Sequence, residues 1–297
     1  AASNTPGNTT GLCAGGQTPS DTTATEEWNF TANTITAAAA WSSGGNVNTA
    51  RDGAGDAGIQ TAALMIGGES PRTGKTESYN GTSWSEVNDL GTARNQLAST
   101  GTSTAALAFG GEDPGPSNHT ETWDGSSWSE VNNLNISKRD SAGFGNQTAA
   151  VNVGGFGPGV ADYSATVETW DGTNWSNAPN ALPAATTQAS GFGTSTAGVV
   201  CGGILPPSAA KTAATYEWDG TNWTASGSMN TARANMFGGT GTQTDGLIAG
   251  GNTTAAQSIT EAYDGTAWST RPSLSTARQQ GAGLGTNSTS TAGLAAS

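Results

Sequence analysis

Short apolar runs closed by a pair of glycines punctuate this chain at Gly15-Gly16, Gly67-Gly68, Gly110-Gly111, Gly154-Gly155, Gly202-Gly203 and Gly250-Gly251. Runs this short, bounded by turn residues, predict strands and not helices. A Thr-Ala-Arg-like element precedes the runs, with Arg51, Arg94, Arg139, Arg233 and Arg278 at its cationic position and Thr187 replacing it in one copy. After the glycines comes a segment of the form Glu-x-Trp/Tyr, then Asn-Gly or Asp-Gly, then a second Trp. Each unit therefore predicts four short strands, for example 96–101, 104–110, 120–123 and 127–131. The dipeptides Asn80-Gly81, Asp124-Gly125, Asp171-Gly172, Asp219-Gly220 and Asp264-Gly265 predict type I′ hairpins with positive φ at both residues. The glycine pairs predict sharp turns, because glycine takes positive φ at little cost.

The aromatic residues set the period. The second aromatic of each unit is Trp41, Trp84, Trp128, Trp175, Trp223 or Trp268, at spacings of 43, 44, 47, 48 and 45 residues. The first is Trp28, Tyr79, Trp123, Trp170, Trp218 or Tyr263. All ten tryptophans thus fall at two repeated positions, which assigns them to the scaffold and not to a ligand platform. A four-stranded unit cannot bury both of its faces alone, so neighbouring units must cover them. The order Arg, apolar strand, Gly-Gly, aromatic, Trp resembles the kelch repeat over essentially the whole chain. That resemblance implies an all-β fold, a kelch-like β-propeller of four-stranded antiparallel blades. The units run over about 1–46, 47–90, 91–134, 135–181, 182–229 and 230–274, with a half unit at 275–297. Because the half unit repeats a first and a second strand, seven blades are expected, one of them shared between the chain ends and completed beyond the sequence. The opening Ala1-Ala2-Ser3, without an initiator Met, fits a processed or partial chain.

Composition narrows the function. Glycine accounts for 44 of 297 residues and only 11% are charged, a profile of strands and turns. A net charge of −13 disfavours nucleic acid or an anionic membrane as partner. No apolar stretch approaches the ~20 residues that span a bilayer. Cys13 and Cys201 lie in strand patterns and read as small buried hydrophobes. Kelch propellers include copper-radical oxidases resembling galactose oxidase, which use two His, a Cys cross-linked to Tyr, and a second Tyr; with His119 as its sole histidine, this chain cannot assemble that site. The Asp-Gly-x-x-Trp segments resemble a sialidase Asp box but with the wrong spacing. No cofactor or metal is expected, since neither an EF-hand nor an Asp-x-Asp pattern marks the loops.

Glu77, Glu121, Glu168 and Glu261 share one strand position and predict a repeated hydrogen bond or ion pair with the neighbouring blade, with the repeat arginine as candidate partner. Functional residues are expected in the segments that do not repeat. These are 29–40 and, after glycine pairs, 112–119, 156–166 and 204–214. The last three share one phase and predict one loop face, with Asp113, His119, Phe156, Tyr163, Ile204 and Leu205 as candidate contacts. The expected function is a non-enzymatic structural or adhesion module of an extracellular particle, such as a phage tail or virion surface, part of a larger assembly and engaging a protein or glycan on a virion or cell surface. The alternative is a polysaccharide-active enzyme with a carboxylate pair in the central pocket.

Overall fold

The repeated motifs form six four-stranded antiparallel blades around one axis, in a computed structural model that describes residues 10–17, 21–29, 40–69, 71–158, 162–285 and 293–296. Five blades are continuous in sequence. Blade 3, for instance, runs from the axis outward as Ala98–Thr102, Ala105–Phe109, Thr120–Trp123 and Trp128–Glu130. Blades 2, 4, 5 and 6 begin at Gly55–Ile59, Ala142–Asn146, Ser190–Thr194 and Thr240–Thr242. No described residue is helical. The segment 29–40, expected above as an expanded loop, lies outside the described residues except for its two ends, Asn29 and Ala40.

Six blades close the ring, not seven. Blade 1 takes its inner strand from Ala282–Gly285 and its remaining strands from Thr10–Ala14, Thr25–Asn29 and Ala40–Ser43. Ala14 and Cys13 register opposite Ala282 and Gly283. The half unit therefore completes the first unit, and no further blade is needed. The additional strand Gly293–Ala296 aligns against the same partners: Ala296, like Ala14, lies opposite both Thr25 and Ala282. One strand edge carries one ladder, so Gly11–Ala14 and Gly293–Ala296 are alternative occupants of one place.

Three repeated contacts join the blades. First, each outer Trp reaches back to the third strand of the preceding blade. The indole N–H groups of Trp84, Trp128, Trp175, Trp268 and Trp41 donate to the hydroxyls of Thr25, Thr76, Thr120, Thr215 and Thr260 at 2.9–3.3 Å. In the remaining joint the acceptor position is Val167, and the indole nitrogen of Trp223 is buried without a partner. Val167→Thr should supply the missing acceptor in the shape the other joints already use. We expect a gain of about 1 kcal/mol, read as a Tm higher by roughly 2–4 °C. Thr120→Val should lose a similar amount.

Second, the glycine pairs are joints as well as turns. The second glycine donates its N–H to the backbone carbonyl of Arg51, Arg94, Lys138, Thr186, Arg233 or Arg278 in the following blade. Both glycines have positive φ throughout, and a Cβ on Gly67 would stand 2.5 Å from the Arg94 carbonyl oxygen. This contact corrects the phase of the repeat: the cationic position in blade 4 is Lys138, not Arg139, and in blade 5 it is Thr186, not Thr187.

Third, the repeat cation meets the repeat glutamate inside its own blade, not across a joint. The pairs are Arg51–Glu77, Arg94–Glu121, Lys138–Glu168, Arg233–Glu261 and Arg278–Glu26, all buried. Blade 5 lacks both partners, carrying Thr186 and Tyr216 instead. The apolar core fills the clefts between blades: Leu64 and Ile66 of blade 2 pack with Leu97, Ala108 and Trp123 of blade 3.

The Asn/Asp-Gly turns also differ from expectation. Only the glycine has positive φ, and four residues separate the paired aromatics, as between Trp123 and Trp128. Asp124 Oδ1 accepts the backbone N–H groups of Ser126 and Ser127 at 2.8 Å, so the side chain shapes the loop. These hydrogen bonds hold the Asp124 carboxyl down at about 2. Both cysteines are free and buried, as expected, and burial pushes the Cys201 thiol up to about 12.

Candidate functional site

Strand direction alternates within a blade, so the second-to-third and fourth-to-first connections emerge on the same face of the disc. Backbone bridges tie the two kinds of connection together. The residue after each glycine pair meets the residue after the repeat cation: Gln17 with Gln279, Glu69 with Asp52, Glu112 with Asn95, Phe156 with Arg139, Ile204 with Thr187 and Asn252 with Ala234. The face thus has a fixed floor of six bridges, but their chemistry varies from sector to sector.

Three sectors follow from that variation. Asp21, Asp52, Glu69 and Glu112 make one side acidic. Arg72 stands 3.5 Å from Glu69 and 3.4 Å from Glu112, and Arg139 pairs with the other oxygen of Glu112. The next sector is aromatic: Arg139 lies 5.1 Å over the Phe156 ring, whose edge-on partner is Tyr163 at 5.7 Å. The third is a small hairpin, Ile204–Leu205 with Ala210–Lys211, whose tip at 206–209 is exposed. Of the residues expected to form a surface, Phe156 and Tyr163 are brought together, while Ile204 and Leu205 stand on the next blade. Asp113 sits partly exposed in its own tight loop, its N–H donating to the Gly115 carbonyl. His119 instead faces Glu130 of the outermost strand at 3.2 Å and belongs to the blade rim.

Burial and two neighbouring carboxylates, Asp21 and Glu69, push the Asp52 carboxyl up from 3.8 to about 6. The folded state therefore binds this proton more tightly than the unfolded chain. Its contribution is fully present below the ordinary value and is lost as pH rises through 6. Asp52→Asn should accordingly stabilise the protein at pH 7–8 by about 1 kcal/mol after allowance for its partial exposure. The gain should vanish near pH 4. Thermal unfolding of both proteins across that range reads the difference.

A feature with no consensus in residue type occupies the centre. Gly53, Gln96, Asp140, Gln188, Asn235 and Gln280 each lie two residues after the repeat cation, and all have φ between 51° and 59°. Each donates its backbone N–H to the carbonyl of its counterpart in the preceding blade, at 2.6–3.1 Å, and Gly53 donates to Gln280. The six bonds form a closed ring about the axis. Below it a cavity of about 140 Å³ is lined mainly by Gly, Ala, Ser and Thr of the inner strands, with Asp56 and Asp140 as its acids. Burial pushes the Asp140 carboxyl up to about 6, against the opposing pull of Arg139 and a hydrogen bond from Gln188. Among the described residues, no group of three or more His, Cys, Asp and Glu side chains is arranged to hold a metal ion.

No known family matches the chain, and no curated protein matches it. The solved structure of YjhT is similar in fold, with a TM-score of 0.66 and 14% identity over 80% of this chain and 88% of that chain. At that identity the likeness speaks for the fold alone: the chain is a β-propeller.

Proposed function

We propose that the protein is a non-enzymatic binding module of the kelch class, engaging a protein or glycan through its loop face. The observation that carries this reading is a division of labour. The repeated tryptophans, glycine pairs and buried ion pairs are taken up by the joints between and within blades. Among the described loops, what varies most lies on the floor and loops of one face, where Phe156, Tyr163, Ile204 and Leu205 remain partly exposed. Partly exposed aromatic and aliphatic groups beside an ordered arginine are the usual makings of a protein or glycan contact. The Thr-, Asn- and Gly-rich, Lys-poor composition favours an extracellular or virion setting, such as a tail or surface fibre within a larger assembly.

The axial cavity supports a second reading, since Asp56 and Asp140 both line it; its lining of small side chains and its size favour the first. Fluorescently labelled protein applied to a panel of bacterial cells and their purified surface polysaccharides tests both. Saturable binding, lost in Tyr163→Ser/Leu205→Ser with an unchanged circular dichroism spectrum and without release of reducing ends, is expected. Release of reducing ends that depends on Asp140 would replace the binding reading with the enzymatic one.

A further inference from the structure

The axial ring is costlier than its hydrogen bonds require. Left-handed backbone at a non-glycine residue costs on the order of 1–3 kcal/mol, and glycine adopts it freely. Gly53 shows within this molecule that glycine serves the ring, since its N–H and carbonyl make the same two bonds as the others. Yet the other five positions carry three glutamines, an asparagine and an aspartate. Glutamine has no particular preference for this conformation, so backbone geometry does not explain its choice. All five residues line the same cavity. The Gln188 side chain already hydrogen-bonds the Asp140 carboxylate, while its Oε1, shielded from solvent, has no partner.

What these groups would hold follows from their chemistry. They present amide and carboxylate oxygens, with no imidazole or thiol among them, a set that suits a hard cation. Arg139 pulls on the Asp140 carboxylate, but its charge is shared with Glu112, with which it is paired, and with the amide oxygen of Gln96 at 3.5 Å. The cavity, at about 140 Å³, is well below the roughly 300 Å³ at which small-molecule pockets begin. An ion with its waters fits; a sugar ring held in full does not. The net charge of −13 adds a field that gathers cations.

We propose that the loop-face mouth of the axial channel binds a single calcium-like cation through the Asp140 carboxylate and the amide oxygens of Gln188, Asn235 and Gln280. The ion would bridge blades 4, 5, 6 and 1 and tighten the ring where the chain ends meet. It would also return the shielded Gln188 oxygen to a partner. This inference is independent of what the loop face recognises.

The test uses the whole protein, stripped with chelator and titrated with calcium chloride. Calorimetry should show one site, and calcium at 100 times its Kd should raise Tm by about 5 °C. Asp140→Asn, checked for folding by near-ultraviolet circular dichroism, should lose both signals, whereas Asp113→Asn on the exposed loop should keep them. If the wild type shows no saturable response, or if Asp140→Asn responds as the wild type does, the axial site is wrong.

Discussion

Glu121→Ala should cost about 3–5 kcal/mol, among the largest losses available to a single substitution in this protein. Arg94 and Glu121 are both buried, and their side chains meet at 2.5 Å. The second carboxylate oxygen accepts the Gly91 N–H at 2.7 Å. Removing the carboxylate therefore strands a guanidinium whose Nε already lacks a partner, and frees a backbone donor at the entry to blade 3. Coulomb attraction is not the main quantity lost; most of the penalty is the desolvation of the cation left behind.

Blade 5 predicts how that loss is rescued. Its counterparts of Arg94 and Glu121 are Thr186 and Tyr216, and it forms the same four strands in the same register without an ion pair. Arg94→Thr combined with Glu121→Tyr should thus recover much of what Glu121→Ala alone loses. Equilibrium denaturation of the wild type, both single variants and the double variant gives the coupling as a double-mutant cycle. Additive losses would mean that each charge is held by the backbone around it and not by its partner.

Much of this architecture was legible in the sequence because its signals are local and repeated. The glycine pairs, the aromatics two residues after glutamate and the Asp-Gly dipeptides each fix a strand end, and in-phase repetition makes the blade unmistakable. Phase failed where local signals were ambiguous. Lys138 and Arg139 are adjacent cations, and the hydrogen bond from Gly111 and the buried pair with Glu168 show that Lys138 occupies the repeat position. Asp-Gly fits both a two-residue type I′ turn and the four-residue loop that forms. The count of blades failed for a different reason. Residues 291–296 repeat the pattern of 9–14, so sequence alone could not distinguish an extra blade from two candidates for one strand. The axial ring was invisible, because Gly, Gln, Asp, Gln, Asn and Gln form no recognisable motif along the chain; what unites them is a left-handed backbone and a place in the circle. His119 looked like a loop-face residue by numbering, but the last residue before a third strand points toward the rim.

The second large effect concerns closure of the ring and distinguishes the two parts of the C-terminal half unit. A chain ending at Arg278 loses the inner strand Ala282–Gly285 and the whole of its ladder with Thr10–Ala14. It also loses Gln280, which donates to Asn235 and accepts from Gly53, so the axial ring opens at one side. Bridges from Gln279 to Gln17 go as well. Without these contacts blades 2 and 6 expose the inner surfaces that blade 1 covers, and the neighbour-on-neighbour burial that stabilises repeated blades is broken at one joint. The expected loss rivals the roughly 5–15 kcal/mol that keeps a domain folded, so the truncated chain should show no cooperative thermal transition. A chain ending at Gly285 should behave oppositely. It keeps the inner strand and the axial ring, and Thr10–Ala14 alone holds the second-strand place, so its Tm should lie within a few degrees of the full chain. Should this longer chain also lose its cooperative transition, Gly293–Ala296 would be the occupant that closes the ring, and Thr10–Ala14 the spare.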